Sequence, residues 1–253
     1  MTQNAPHICF LEGNIGAGKS TFLKLLQQQS NLNAQYLQEP VDEWVNTKDS
    51  NGKNILKHFY SDMERFCYMF QSFAFISRVK ILDAIDPSVT VVFIERSVFC
   101  DREVFAQTCY DTGLMNEIEW ITYNKWFNWM TKKYSHIFDN ASYLYLRCSP
   151  KTSYERIQNR SRVEETSITL EYLQSLHEKH EAWLMDDKAN TIVVNAELNF
   201  LESHIMLKII KQLLQQLPIQ PKMSLMKPIG DQIKQCLDKI KQHETLINGP
   251  KLI

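Results

Sequence analysis

Residues 13–21 read Gly13-Asn14-Ile15-Gly16-Ala17-Gly18-Lys19-Ser20-Thr21, and this stretch decides the fold. An apolar run at residues 8–11 precedes it and the run Phe-Leu-Lys-Leu-Leu at residues 22–26 follows it, so G-x-x-x-x-G-K-[ST] lies between a predicted strand and a predicted helix. Glycines at this spacing let backbone amides surround phosphate oxygens at a helix N-terminus, where the helix dipole favours negative charge. A glycine-rich turn without a ligand is the alternative, and the flanking strand and helix disfavour it.

The loop also predicts its ligands. We expect the whole of residues 13–21 to hold ATP or another nucleoside triphosphate, because the backbone amides of such a loop face the phosphates. Lys19 reaches the terminal phosphates in this interpretation, and the Ser20 hydroxyl binds Mg²⁺.

The bulk composition excludes several classes of protein. With 253 residues, 44% of them hydrophobic, the chain is long enough for one large α/β domain or two small ones. A formal net charge of −1 provides no global basic field, so we expect no nucleic-acid polymer as a partner. No apolar stretch approaches the length of a membrane span, and residues 1–7 lack the regions of a leader peptide, so we expect a cytoplasmic protein without a membrane partner.

The six cysteines show neither C-x-x-C spacing nor a metal-finger pattern. Most lie in apolar runs, so we expect reduced, buried thiols. They are Cys9, Cys67, Cys100, Cys109, Cys148 and Cys236.

Strands and helices alternate along the chain. The predicted strands are residues 7–12, 34–38, 89–94, 142–146 and 191–194. The predicted helices begin at residues 18 and 149 or cover 55–85, 116–133, 170–183 and 203–217. The alternation predicts an α/β fold of the P-loop NTPase type, with a five-stranded parallel sheet and helices on both faces. Residues 1–217 form this domain, and residues 218–253 form a C-terminal appendage with a candidate helix at 231–243.

Charged residues follow the predicted strands. Because ligands of parallel sheets bind at the carboxyl ends of strands, we expect residues 13–21, Glu39, residues 95–97 and Arg147 to be neighbours. A carboxylate at Glu39 can accept a proton from an attacking hydroxyl, although an acid in a surface loop is equally compatible with its position. Glu95 follows the most apolar strand, where such sheets often place an acid near the metal, and Arg96 is placed to pair with Glu39 or with phosphate. The polar rim of the sheet is the alternative interpretation of residues 95–97.

Arginines cluster after the fourth strand. Arg156 and Arg160 are four residues apart on one predicted helix face, and Arg162 comes where that helix ends. Fixed guanidinium groups stabilise a transferring phosphoryl group, and a mobile lid excludes water, so we predict an Arg-rich lid at about residues 156–168. A solvated, salt-bridged helix is the alternative.

Polar residues interrupt the aromatic helix at residues 55–85. Gln71 and Arg78 are seven residues apart on nearly one face, and a buried amide can both donate to and accept from a nucleobase. Rings such as Phe70 and Phe105 can stack on that base, and Asp101 is placed to pair with Arg78.

Taken together, these motifs resemble the deoxyribonucleoside kinases, in particular the deoxycytidine, deoxyguanosine and deoxyadenosine kinase branch. The resemblance runs from about residue 7 to 217 and includes five motifs in order. They are residues 13–21; Glu39-Pro40-Val41 with Trp44; Phe70-Gln71 and Ser77-Arg78; Glu95-Arg96-Ser97 with Asp101-Arg102; and residues 156–165 with Leu170-Glu171-Tyr172-Leu173 and Leu176-His177.

The resemblance implies a role for each group. Glu39 is then the general base on the deoxyribose 5′-OH, held by Arg96, and Glu95 serves the Mg²⁺ site with Ser20. Tyr60 and Glu165 bind the sugar 3′-OH. Base recognition falls to Gln71, Arg78 and Asp101; the pocket walls to Val41, Trp44, Leu56, Phe59, Phe70 and Phe105; and closure over the phosphates to Arg156, Arg160 and Arg162.

The predicted activity is therefore ATP-dependent phosphorylation of a small-molecule deoxynucleoside in nucleotide salvage, and the resemblance implies a homodimer joined through the helices at 55–85 and 116–133. Within this family Arg78 and Asp101 imply adenine, guanine or cytosine rather than thymine. Ala74 and the bulky Phe75 slightly favour purines.

Two other functions share some of these motifs. A nucleoside monophosphate kinase of the thymidylate type has the loop and a basic lid, but it needs an extra basic pocket beside Glu39. A P-loop NTPase switch needs a positioned water rather than a closed acceptor pocket, and the polar residues within an aromatic wall favour the pocket.

Overall fold

The computed structural model describes residues 5–30, 32–139, 141–160, 162, 165–186, 190–198, 200–201 and 203–217. Its centre is one sheet of five strands in the order β2-β3-β1-β4-β5, and every neighbouring pair is parallel. The strands are β1 (His7–Glu12), β2 (Ala34–Leu37), β3 (Val91–Glu95), β4 (Ser142–Arg147) and β5 (Thr191–Asn195). The predicted five-stranded parallel sheet is confirmed.

Helices precede and follow the strands. They are α1 (Lys19–Gln29), α2 (Val41–Asn46), α3 (Ile55–Ser61), α4 (Met63–Leu82), α5 (Val98–Cys100), α6 (Gln107–Asp111), α7 (Glu117–Lys133), α8 (Ser135–Phe138), α9 (Pro150–Arg160), α10 (Leu170–Leu184) and α11 (Ser203–Gln216). A π-helical segment, Asp101–Ala106, connects α5 to α6.

The apolar strand β1 is covered on both sides because its successive side chains point to opposite faces. Cys9 and Leu11 belong to a core shared with α1 and α11, whereas Ile8 and Phe10 belong to a second core with the end of α4. Helices therefore cover both faces of the sheet, as the continuous apolar runs of β1 and β3 predict.

The predicted long helix at residues 55–85 is wrong in one respect, because it is two helices. Asp62 ends α3 in a non-helical conformation (φ −155°, ψ 78°), and its side chain accepts a hydrogen bond from the Arg65 amide at 3.2 Å to begin α4. Short polar side chains stabilise helix starts in this way. Here the cap outweighs the tendency of the flanking residues to continue as one helix.

The remaining helical segments were predicted only in part. Helix α7 begins where expected, because Asn116 and Glu119 form a reciprocal capping box. The helical segments within residues 98–111 were not predicted. The appendage at 218–253, including the candidate helix at 231–243, lies outside the described residues.

No helix within the described ranges is both long and apolar enough to cross a membrane. All five cysteines in those ranges are free thiols and buried, as predicted; Cys236 lies outside them.

Candidate active site

The loop between β1 and α1 has the backbone that its glycines predict. Gly13 has φ +142° and Gly16 has φ +79°, a region in which side chains are strained. A Cβ at Gly13 would lie 2.6 Å from the Leu146 carbonyl oxygen, and one at Gly16 would lie 2.4 Å from that of Ser153. Only glycine therefore fits at these two positions, where the backbone of β4 and of α9 lies against the loop.

Lys19 lies at the N-terminus of α1 and curls back over the loop. Its Nζ donates to the carbonyl oxygens of Asn14 at 2.8 Å and Gly13 at 3.1 Å. Burial and the nearby Arg96 charge lower the pKa of the ammonium group to about 8. An anionic phosphate beside this buried ammonium group would stabilise its charged form.

A hydroxyl and a carboxylate meet beside the lysine. Ser20 Oγ donates to Glu95 Oε1 at 2.7 Å, so the start of α1 and the end of β3 are in direct contact. Oxygen ligands of this kind suit Mg²⁺, which takes one or two protein ligands and completes its shell with waters and phosphates. The described residues contain no cluster of three or more His, Cys, Asp or Glu side chains that could hold a metal, as this mode of binding allows. The pair fits Mg²⁺.

One cavity of about 670 Å³ begins at the loop and extends into the helical layer. Every residue predicted to contact the nucleoside lines it: Glu39, Val41, Trp44, Leu56, Phe59, Tyr60, Phe70, Gln71, Arg78, Arg96, Asp101, Phe105 and Glu165. Most of the residues predicted to hold the phosphates and the metal also line this cavity: Ile15, Gly16, Gly18, Lys19, Ser20, Thr21, Glu95, Arg160 and Arg162. The sheet edge and the helical layer thus enclose one continuous site.

The centre of the cavity is a buried network of charges. Glu39 accepts from Arg78 Nη2, and Arg96 Nε lies 3.3 Å from the same carboxylate oxygen. Burial raises the pKa of Glu39, but the charges of Arg78, Arg96 and Lys19 outweigh it and bring that pKa to about 2. Arg78 Nη1 also donates to Asp101, as the sequence predicts, and burial raises the pKa of Asp101 to about 6.

Arg96 is held from several sides. It has φ +64°, the one positive φ outside glycine among the described residues, and its amide donates to the Leu11 carbonyl at 2.9 Å. Its guanidinium carbon lies 4.8 Å from the centre of the Phe105 ring, and Nη1 donates to Cys100 Sγ at 3.2 Å. A strained backbone at a site lined by charges is typical of functional residues.

The arginines near the end of α9 form ion pairs with Glu165. Arg160 Nε donates to Glu165 at 2.7 Å, and Arg162 Nη1 lies 3.4 Å from the same carboxylate. Burial, followed by the charge of Glu165, raises the pKa of the Tyr60 phenol. Because Ser161, Val163 and Glu164 lie outside the described residues, the lid stays a prediction.

Some expected residues lie elsewhere. Arg147 forms an ion pair with Glu181 (Nη2–Oε2 2.7 Å) and is absent from the described cavity wall, so its grouping with the site was wrong. Phe75 was expected on the base wall, but it lies on another face of α4. It is 2% exposed and packs against Tyr123 and Phe127, so its bulk gives no argument for purines. Gly13, Asn14, Ala17 and Arg156 support the loop rather than line the described cavity; Arg156 Nη1 donates to the Ala17 carbonyl at 3.4 Å.

Further residues on the same wall were not predicted. Gln38 and Asp42 are near Glu39 in the sequence, and Lys24 lies on the helix that follows the loop. This proximity was the only signal for them, because they belong to no motif. The wall residues without a predicted role are Lys24, Gln38, Asp42, Val45 and Tyr172, whereas Ala74 lines the cavity as expected. Asn14 was assigned to phosphate, yet its side chain donates to the Leu173 carbonyl at 2.8 Å and ties the loop to α10.

A P-loop at the edge of a parallel sheet, opening on an enclosed carboxylate, is the arrangement of an enzyme that transfers phosphoryl groups. The chain belongs to the deoxynucleoside kinase family, because the sequence model of that family matches residues 8–217. It is 39% identical to the deoxycytidine kinase of Mus musculus over 196 residues, which covers 69% of this chain and 74% of that protein.

Two further relatives come from a virus and an amphibian. The chain is 36% identical over 198 residues to a probable deoxycytidine kinase of fowlpox virus, covering 76% of this chain and 80% of the relative. It is 35% identical over 190 residues to the mitochondrial deoxyguanosine kinase of Xenopus laevis, covering 69% and 71%.

Proposed function

We propose that this kinase transfers the γ-phosphoryl group of ATP to the 5′-OH of a 2′-deoxyribonucleoside, giving the 5′-monophosphate for nucleotide salvage. One observation carries the proposal: the Glu39 carboxylate lies in a single cavity between the P-loop and an aromatic pocket. An acceptor alcohol in that pocket and a triphosphate on the loop would meet at Glu39.

The reaction we propose is an in-line displacement. Glu39 takes the proton of the 5′-OH, the sugar oxygen forms a bond to the γ-phosphorus, and the bond from that phosphorus to the β–γ bridging oxygen breaks with its electrons on the leaving ADP. Lys19, Arg160 and Arg162 neutralise the charge that spreads over the transferring group, and Arg156 supports the loop. Mg²⁺, held by Ser20 and Glu95, would supply further charge neutralisation when bound.

The aromatic pocket binds the nucleoside in this proposal. Leu56, Phe59 and Val41 enclose the sugar and base, and Tyr60 with Glu165 binds the 3′-OH. Trp44 and Phe70 meet edge to face with ring centres 5.6 Å apart, and together with Phe105 they provide faces on which a base can stack.

Buried polar atoms at the base end support a base with an amino group. Among the described residues, no atom pairs with Asp101 Oδ2 or with Arg78 Nε, although both atoms are buried. An amino group donates to a carboxylate, and a ring nitrogen accepts from a guanidinium, so cytosine, adenine and guanine satisfy the pair better than thymine does. The names of the relatives, deoxycytidine kinase and deoxyguanosine kinase, agree with this choice.

A substrate panel tests the proposal. The purified chain is incubated with ATP, Mg²⁺ and each of the four natural deoxynucleosides, and then with the corresponding monophosphates. We expect phosphorylation of at least one of deoxycytidine, deoxyadenosine and deoxyguanosine, and less of thymidine. Turnover of monophosphates only would support the monophosphate kinase, whereas ATP hydrolysis that ignores the nucleoside would support the NTPase switch.

We also propose a homodimer in the cytoplasm. Large apolar side chains on α4 and α7 face outward, including Ile118 (67% exposed), Trp129 (55%) and Ile76 (47%). Exposed apolar surface of this kind marks a protein interface. Light scattering after size exclusion should give twice the chain mass, and Trp129→Glu should shift the mass toward that of a single chain; a single-chain mass for the unaltered protein would refute the dimer.

A further inference from the structure

Arg78 lies between two carboxylates that have different jobs in the proposed function. One terminal nitrogen donates to Asp101, on the base side, and the other donates to Glu39, the proposed proton acceptor. The Arg78 guanidinium carbon also lies 5.0 Å from the centre of the Trp44 ring. A single cation, 5% exposed, is therefore shared by base recognition and by catalysis.

The sharing weakens Glu39 as a base. The groups that act on its carboxylate are the cations Arg78, Arg96 and Lys19, and these keep its pKa at about 2. A carboxylate whose pKa lies far below the working pH is a weak proton acceptor, because acceptors are strongest when their pKa lies near that pH. Asp101 experiences the charges of Arg78, Glu39 and Arg96.

We infer that Arg78 makes the acceptor's base a condition for proton transfer. A base that engages Asp101 and Arg78 draws the guanidinium away from Glu39, and this releases the carboxylate to accept the 5′-OH proton. Glu39 keeps Arg96, whose Nε is 3.3 Å away, so it stays oriented after the release. The inference rests on the proposed function and adds that Arg78 is a positioning residue as well as a base contact.

The physical consequence is discrimination against acceptors that lack a base. Water and simple alcohols reach the same cavity, but they do not engage Asp101 and Arg78. Glu39 then stays paired with two arginines, and transfer to these acceptors stays slow. Specificity in this case appears in kcat and not only in KM.

The test uses 1,2-dideoxyribose, the sugar without its base, beside the best deoxynucleoside of the panel. In the unaltered enzyme we expect kcat for the base-free sugar to be at least about 100-fold lower, which is the low end of what a general base contributes. Arg78→Met should change the two acceptors in opposite directions. Turnover of the base-free sugar should rise about tenfold because Glu39 becomes more basic, and turnover of the deoxynucleoside should fall.

Two further variants keep the test decisive. Arg78→Met leaves Asp101 buried without its cation, so Arg78→Met with Asp101→Asn removes both charges and should show the same rise if the single variant does not fold. Lys80→Met is the matched control, because Lys80 follows Arg78 on α4 and forms an exposed ion pair with Glu43 at 2.8 Å. We expect it to change neither acceptor.

The outcomes separate the two proposals. Equal losses on both acceptors in Arg78→Met would mean that Arg78 only orients Glu39, and an unchanged base-free rate would mean that it only reads the base; either result overturns the inference. An unaltered enzyme that phosphorylates no deoxynucleoside would instead remove the proposed function itself.

Discussion

Replacing Glu39 by glutamine removes the proposed proton acceptor and the negative charge that Arg78 and Arg96 face. The amide keeps the shape of the side chain and an oxygen that can accept from Arg78 or Arg96, but it cannot take a proton. A general base contributes about 10²- to 10⁴-fold in rate, which is roughly 2.7 to 5.4 kcal/mol of barrier. We therefore expect kcat to fall at least about a hundredfold.

The effect on ATP binding should be small because Glu39 pairs with arginines rather than with loop atoms. The dissociation constant of ATP, measured by titration calorimetry, should change by less than about threefold, a cost of under 1 kcal/mol. Single-turnover formation of the monophosphate at saturating ATP and nucleoside measures the chemical step.

Glu43→Gln is the control, because it makes the same chemical change four residues away at an exposed ion pair with Lys80. Exposed pairs contribute about 0–1 kcal/mol to stability, so this variant should turn over normally. If Glu39→Gln keeps kcat within about tenfold of the unaltered enzyme, the proton does not go to Glu39 and the reasoning is refuted.

Three other predictions test the loop and its support. Gly16→Ala places a Cβ 2.4 Å from the Ser153 carbonyl oxygen at φ +79°, so ATP affinity should fall at least about tenfold; unchanged calorimetric affinity would contradict the cradle geometry. Lys19 has a pKa lowered to about 8, so kcat/KM for ATP should decline above that pH as the charge is lost; a flat profile to pH 10 would argue against a role for its charge. Between about pH 8 and 10.5 the unfolded chain binds more protons than the folded one at Lys19, so this group makes the unfolding free energy rise with pH there even as phosphate binding weakens. Phe22→Ala should lower the unfolding free energy by about 3–5 kcal/mol in denaturant titration, because the ring is fully buried against Phe200; a loss under 1 kcal/mol would mean that the cavity collapses.

The P-loop, the sheet and most helices follow from local sequence. The apolar run at residues 89–94 suits a strand buried on both faces, and β3 begins two residues into that run, at Val91. The glycine spacing predicts a backbone that curls around a ligand, and the three loop glycines all have positive φ. These features depend on neighbours in the chain, so one sequence suffices to find them.

The charge network depends on distant neighbours and was found only in part. The Arg78–Asp101 pair was expected, but the second contact of Arg78, to Glu39, was not, and it joins residues 39 positions apart. Nothing in the local pattern selects Glu39 as a second partner of Arg78. The break at Asp62 is the opposite case, because a capping interaction decided the local structure against a favourable helical pattern.

Glu12 shows how the fold imposes a requirement that no motif records. It ends β1 fully buried, and its carboxylate accepts from the Ser97 amide at 2.8 Å. Burial raises the pKa of Glu12, while the Ser97 hydrogen bonds and the Arg96 charge oppose that shift. Ser97 directly follows the strained Arg96. The Leu11 carbonyl accepts from the amide of Arg96 and the Glu12 carboxylate accepts from the amide of Ser97, so both amides next to the strained Cα are held. A residue held at positive φ needs such support, since its strain of about 1–3 kcal/mol must be offset by neighbouring contacts. Glu12 therefore belongs to the site through the backbone of Arg96, although its own side chain lies behind the cavity wall.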